Sequence, residues 1–324
     1  MSSHSHVPAA ASFQKLGMPR YHLFVMLGLG AVLLVAPSLL YPILVIKILC
    51  FALFACSVNL LLGYVGLLSF GHAAYFGMSS YVAAHAAKVW GLSPELAILC
   101  GAGVAVLMGC AFGALAIRRQ GIYFAMVTLA FAQMVYFFAL QAPFTGGEDG
   151  IQKVPRGALF GLIPLSDDKT LYFFVAAVFL ACLFALYRIV HSPFGQVLKA
   201  IRDNEARAIS LGYRVNQYKL VAFVISAGLA GVAGGTKAIV FQLATLTDVH
   251  WTMSGEVVLM TLIGGMYTFF GPIVGAALVV LLQNYLASFG DWVTVIQGGV
   301  FVVCVLLFRE GIVGFVASRL KRPL

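Results

Sequence analysis

The sequence predicts an all-α bundle of membrane-spanning helices, about ten of them, some interrupted by glycine. Composition is the first reason: 62% of the 324 residues are hydrophobic and 10% are charged, with a mean hydropathy of +1.00, far from a soluble globular domain. The second is that apolar windows of about 20 residues, the length that crosses a hydrocarbon core, recur along the chain. The third is that basic residues collect in the segments between those windows, as the bias of positive charge toward the cytoplasm demands. The formal net charge of +9 is accounted for in this way, which removes the case for nucleic-acid binding.

Residues 1–22 form a polar tail containing His4 and His6. The apolar run at 23–40 that follows is longer than a signal-peptide core and has no small-residue cleavage site before Tyr41-Pro42, so it reads as a retained span. Further windows lie at 42–62, 96–117, 121–142, 171–190, 219–243 and 292–308. Residues 63–87 are long enough to cross but hold Gly63, Gly66, Gly71 and Gly77, and count as one distorted crossing. Residues 254–287 are too long for one crossing and are broken at Gly264-Gly265 and Gly271-Pro272, so they count as two. Ten crossings place both termini, Arg118-Arg119, the basic loop 188–219 and the basic tail 309–324 with Arg319, Lys321 and Arg322 on the cytoplasmic side. The loop 143–170, with Glu148, Asp149, Asp167 and Asp168, then lies outside.

Non-helical backbone at membrane depth survives only where protein or a watery cavity covers it, and broken helices in transporters flank the substrate route. Gly66, Gly71, His72 and Gly77, with Gly264 and Gly265, are therefore candidates for lining a path; small residues also let helices pack closely, and the two roles coexist. Ionisable residues in or beside the spans are Lys47, His72, His85, Lys237 and Glu256. Lys237 and Glu256 are expected at similar depth near the outer side, preferably as a pair with each other, or alternatively as contacts for a zwitterion entering from outside. His72 follows Gly71 and is suited to donating to carbonyls that the break frees, a packing role in preference to a proton relay. The acidic tip Glu148-Asp149, between Gly146-Gly147 and Gly150, suits either contact with an outside partner or solvation. Cys50, Cys56, Cys100, Cys110, Cys182 and Cys304 lie in apolar segments with neither CxxC nor zinc-ligand spacing, and read as small core residues.

The loop 188–219 carries Arg188, Lys199, Arg202, Arg207, Arg214 and Lys219 against Asp203 and Glu205. Ser192-Pro193 marks a helix start. A second short helix is expected from Asn204 to Leu211, capped by Asp203, with Glu205 in its first turn and Gly212 ending it in a left-handed cap. A helix of about two turns is not stable alone and must pack on something, either the groove of a cytoplasmic partner or anionic lipid headgroups.

These residues carry a resemblance. SPFGQVLKAIRDNEARAISLG at 192–212, followed by YKLVAFVISAGLAGVAGG at 218–235, resembles the cytoplasmic-loop signature of branched-chain amino-acid ABC transporter permeases of the LivM type. So do NLLLGYVGLLSFGHAAYFGMSSY at 59–81, RQGIYFAMVTLAFAQ at 119–133, TGGEDGI at 145–151, LIGGMYTFFGPIVGAAL at 262–278 and LFREGIVG at 307–314, so that nearly all the chain after about residue 40 is covered. The resemblance implies a multi-pass subunit of a bacterial inner-membrane importer. It also implies the partners: a second, related permease, two cytoplasmic ATPases and a periplasmic substrate-binding protein. ATP would be used by the partner subunits, with no cofactor bound by this chain, and residues 204–211 would be the helix that couples to an ATPase. Glu205, Ala206 and Gly212 match the glutamate, alanine and glycine of the importer pattern, whereas Arg207 stands where many importers have a second alanine and the glycine comes one residue later. Glu310 occupies a place where proline is usual. Branched-chain or other hydrophobic amino acids are the implied cargo, with urea or short amides as the alternative. The chain has no GxxxxGK[ST] loop, HExxH or GxSxG, which disfavours an ATPase or hydrolase activity of its own. A self-sufficient secondary transporter or channel remains the competing class, and a scaffold or intramembrane enzyme a third; neither needs an ATPase-docking helix.

Overall fold

The computed structural model describes residues 20–39, 41–161, 163–287, 292–307 and 311–320. Most of the polar tail, with His4 and His6, and Glu310, Lys321 and Arg322 lie outside the described residues.

The architecture is an all-α polytopic bundle, and its helices follow the apolar windows closely: α1 (Arg20–Leu39), α2 (Pro42–Leu62), α3 (His72–Lys88), α4 (Pro94–Ala116), α5 (Ile122–Gln141) and α6 (Asp168–Val190). They continue through α7 (Pro193–Asp203), α8 (Glu205–Ser210), α9 (Val215–Phe241), α10 (Leu246–Val249), α11 (Trp251–Gly264), α12 (Gly271–Leu286), α13 (Trp292–Leu307) and α14 (Gly311–Leu320). Among the described residues, α2, α4, α5, α6 and α9 are long and apolar enough to span a membrane alone, and α11 and α12 are shorter apolar helices. Proline at the first helical turn opens α2, α4 and α7, where its missing N–H costs nothing.

The bundle is built around α2, α3 and α9. Most of α2 is buried, whereas α4, α5 and α6 present apolar side chains such as Leu107, Phe137 and Phe184 outward, as lipid-facing helices do. Helix α3 is the least apolar of the three yet almost wholly buried, because its surface is alanine, glycine and serine and its neighbours come within backbone reach. A Cβ on Gly234 of α9 would overlap the Phe76 carbonyl of α3. One on Gly101 of α4 would meet the Ser79 carbonyl 2.6 Å away.

The loop between α5 and α6 carries three short strands, β1 (Ile151–Gln152), β2 (Ala158–Leu159) and β3 (Ile163–Pro164). β1 pairs antiparallel with β4 (Leu243–Ala244), Ile151 opposite Ala244, and so ties this loop to the end of α9. Helix α9 has 27 residues, about 40 Å at 1.5 Å per residue. The loop 143–170 therefore sits at one end of the bundle, and α7 with α8, which precede α9, sits at the other.

Candidate functional site

The basic loop folds as a helical hairpin. Ser192 Oγ accepts from Gly195 N and opens α7. The cap of α8 is Asn204, whose Oδ1 accepts from Arg207 N at 2.9 Å, and not Asp203 as the sequence suggested. Asp203 is the last residue of α7, and its carboxylate faces back to Arg202 with Oδ1 2.8 Å from Nη2 and 3.0 Å from Nε. Asn204 is extended, with φ −159°, and its short amide reaches its own helix's first turn while Asp203 is still helical. Gly212 ends the hairpin with φ +88°, in the left-handed region expected of it.

Glu205 does more than complement the helix dipole. Its Oε1 accepts from Lys219 Nζ at 2.7 Å and from Gln120 Nε2 at 3.1 Å, so α8 is fastened to the first turn of α9 and to the α4–α5 turn. Lys219, one of the basic residues of the loop, has a side chain only 4% exposed. Ile201, Ala208 and Val215 form a small apolar cluster of their own beneath the hairpin. The outward residues include Ala206, Arg207, Ser210 and Arg214 and the apolar Ile209, Leu211 and Tyr213. On the polar side of the hairpin, burial and the neighbouring Arg202 charge both lower the Lys199 pKa from its ordinary value.

The first broken segment lies at the hairpin's end of the bundle. Helix α2 stops at Leu62, residues 63–71 run without helix, and α3 begins at His72, so the 63–87 crossing is part extended chain and part helix. Its backbone donors are met by hydroxyls from other helices: Phe70 N by Thr128 Oγ1 at 3.2 Å and Ala73 N by Ser254 Oγ at 2.8 Å. His72 lies 2.8 Å from Ser226 Oγ through Nε2 and 3.1 Å from Ser69 Oγ through Nδ1. Because Ser226 Oγ donates to the Ser57 carbonyl at 2.5 Å, His72 Nε2 must be the donor to Ser226, and in a neutral ring Nδ1 then accepts from Ser69 Oγ. Thus His72 reaches a helix carbonyl through a serine rather than directly, and both ring nitrogens are used in packing.

Gly66 has φ +79°, and Gly71 is pressed against Thr128 of α5. Gly77 lies higher, against Val249 and the Asp248 backbone. The second break, 265–270, is the tip of an α11–α12 hairpin in which Gly264 touches Gly271, and Gly265, at φ +120°, touches Gly311. The two breaks meet each other: Asn59 Nδ2 donates to Thr268 O at 3.1 Å, and a Cβ on Gly63 would overlap the Met266 carbonyl. These glycines are therefore close-packing positions; Gly77 lies within the continuous helix α3, beyond the break, and the two segments that the others interrupt are neighbours.

Lys237 and Glu256 do not pair with each other. Lys237 Nζ lies 2.6 Å from Asp248 Oδ2, with side chains 12% and 4% exposed, while Gln283 of α12 donates to Glu256 Oε1. The reason is local. Thr245 and Asp248 form a capping box at the start of α10, which folds Asp248 back beside the last turns of α9, whereas Glu256 faces α12. Asp248 was missed from the sequence; a threonine followed three residues later by a carboxylate, Thr245-x-x-Asp248, is the signal that marks it. Beside this pair the Tyr81 hydroxyl is buried and, among the described residues, has no hydrogen-bond partner. At the same end of the bundle, Glu148 and Asp149 are exposed in a single 3₁₀ turn between Gly146 and Gly150.

Among the described residues, no cluster of His, Cys, Asp and Glu has the makings of a metal site. The six cysteines are free.

Residues 40–305 match the family described as the branched-chain amino acid transport system permease component. The chain is 27% identical over 288 residues to the high-affinity branched-chain amino acid transport system permease protein LivM of Escherichia coli (strain K12), covering 82% of this chain and 68% of that protein. The protein of the same name from Salmonella typhimurium gives the same figures. A probable branched-chain amino acid transport permease protein LivH from Methanocaldococcus jannaschii is 24% identical over 277 residues, covering 79% of this chain and 86% of the relative. No solved structure matches.

Proposed function

Because this chain belongs to the family of branched-chain amino acid transport permease components, we propose that it is the membrane-spanning subunit of a binding-protein-dependent ABC importer, driven by ATP hydrolysis on separate chains. The observation that carries this reading is the α7–α8 hairpin. It projects an exposed strip of Ala206, Arg207, Ile209 and Leu211 from one end of the bundle, on a helix fastened by Glu205 to Lys219 and Gln120. A short helix with apolar side chains exposed and a fixed base is suited to a groove in a partner. A self-sufficient transporter has no use for it.

The remaining parts of the reading follow from this. The assembly would hold a second related permease, two ATPases on the hairpin side and a binding protein on the side of the 143–170 loop, where Glu148 and Asp149 are offered for contact. About ten crossings in a bacterial inner membrane, with both termini cytoplasmic, agree with the hairpin and the 143–170 loop lying at opposite ends. The cargo is a branched-chain or other hydrophobic amino acid, as the names of the relatives suggest. The route would pass between the broken segments, with Gly66, Gly71, His72, Gly264 and Gly265 at its inner end and Gly77, Lys237 and Glu256 farther out.

The test is affinity purification of the tagged chain from its native membrane in mild detergent, followed by mass spectrometry. A second permease and ATPase chains are expected, and they should be lost when residues 204–211 are replaced by a Gly/Ser linker. Recovery of this chain alone, active in proteoliposomes without ATP, would refute the proposal.

A further inference from the structure

We propose that Arg202 is the positioning residue that transmits movement of the α7–α8 hairpin to both broken segments at once, an inference that rests on the importer reading above. Arg202 is the penultimate residue of α7, two positions before the extended Asn204. Its Nη1 donates to the Gly63 carbonyl at 2.7 Å, a carbonyl left without a helical partner because α2 has just ended. Its stem lies along the same segment, so close to Gly66 that a Cβ there would stand 3.1 Å from Arg202 Cγ. The guanidinium carbon is 5.2 Å from the centre of the Tyr267 ring, in the tip of the α11–α12 hairpin. Asp203 grips the opposite edge of the guanidinium through Nε and Nη2 and sets its plane.

A single side chain of the hairpin therefore touches the 63–71 segment and the 265–270 tip, which are also joined directly by Asn59 and Thr268. Ile201 and Ala208 of the hairpin pack with Val215 at the start of α9, and Leu198 of α7 lies in the main core with Tyr64, Val65 and Leu67, so Arg202 is the polar part of a contact with the first break that is otherwise apolar. Lys199, whose ammonium is 5.7 Å from the Tyr64 ring, is a neighbouring link to the first segment. Lysine at position 202 would keep the charge near Gly63 but lose both the planar fork to Asp203 and the stack on Tyr267.

The experiment uses the assembled complex purified through this chain from a cysteine-free background with Met266→Cys at the hairpin tip, a half-buried position beside Tyr267. The rate of maleimide labelling is compared with and without ATP and vanadate. The expectation is an ATP-dependent change in rate that Arg202→Ala reduces about tenfold, the factor set by loss of one charge-assisted hydrogen bond. Arg202→Lys should be intermediate, and the ATPase chains should still co-purify and still hydrolyse ATP. An undiminished change in Arg202→Ala, or no ATP-dependent change in the parent complex, would overturn the inference and leave the importer reading standing. If Arg202→Ala is not recovered as a complex, Tyr267→Leu, which leaves the Gly63 bond in place, carries the test, and an undiminished change there overturns it equally. Absence of ATPase chains from the parent preparation would overturn both.

Discussion

Asp248→Asn is the sharpest probe of how the outer end of the bundle is held. The substitution keeps the shape and leaves an oxygen for the Thr245 N–H, which Asp248 Oδ2 now accepts at 3.3 Å, but it strips the charge that Lys237 meets at 2.6 Å. Removing one partner of a buried ion pair costs about 3–5 kcal/mol, because the other charge is left uncompensated. The Lys237 side chain is 12% exposed on a long flexible stem, so part of that penalty is relieved by reaching outward, and the lower end, about 3 kcal/mol, is expected. At about 2.1 cal/mol/K per residue, 324 residues lose about 0.7 kcal/mol per degree near the midpoint, so the apparent melting temperature should fall by about 4–5 °C. Lys237→Met/Asp248→Asn removes both charges and should recover most of the loss, so that the costs of the two single variants do not add. The assay is thermal melting of the detergent-solubilised chain followed by fluorescence-detected gel filtration. A melting temperature unchanged in Asp248→Asn, or simple additivity in the double variant, would refute the pairing argument.

Three further outcomes are expected. Gly234→Ala should abolish recovery of monodisperse protein, since its Cβ would overlap the Phe76 carbonyl, whereas Gly103→Ala, with open space around it, should be neutral or slightly stabilising on the same gel-filtration readout. Glu205→Gln takes the charge from a pair in which Lys219 is buried and Glu205 is 27% exposed; a local cost of about 1–2 kcal/mol should show as faster amide exchange across Glu205–Ser210 and weaker retention of ATPase chains. Glu148→Lys with Asp149→Lys should impair uptake at limiting binding protein, and unchanged uptake there would count against contact at this tip.

Run length made most of the bundle readable before any coordinates. The windows at 42–62 and 121–142 became α2 and α5 within a residue, because a long apolar stretch has few other ways to satisfy its backbone in lipid. Interruption was also legible at 63–71 and 264–271, through glycines that helices tolerate poorly. What holds those interruptions was not legible: Thr128, Ser226 and Ser254 come from helices 50 to 180 positions away, and nothing local marks a serine as the cap for a distant amide. Partner choice failed for the same reason at Lys237, where depth along a helix was estimated but the rotation that turns Glu256 toward Gln283 was not. The cap of α8 was misplaced by one residue because Asp203 and Asn204 are equally good capping types, and only the backbone break between them decides.

The fastening of α8 has a consequence for association kinetics. A two-turn helix that orders only on contact must lose its conformational freedom at that moment, and its affinity and on-rate suffer accordingly. Here Asn204, the Glu205–Lys219 pair and the left-handed Gly212 fix the helix while the chain folds, so the ordering entropy is spent before any partner arrives. Encounter with this surface should then behave as rigid-body docking, with salt changing its rate through the exposed Arg207 and Arg214 and with little helix formation on the binding path.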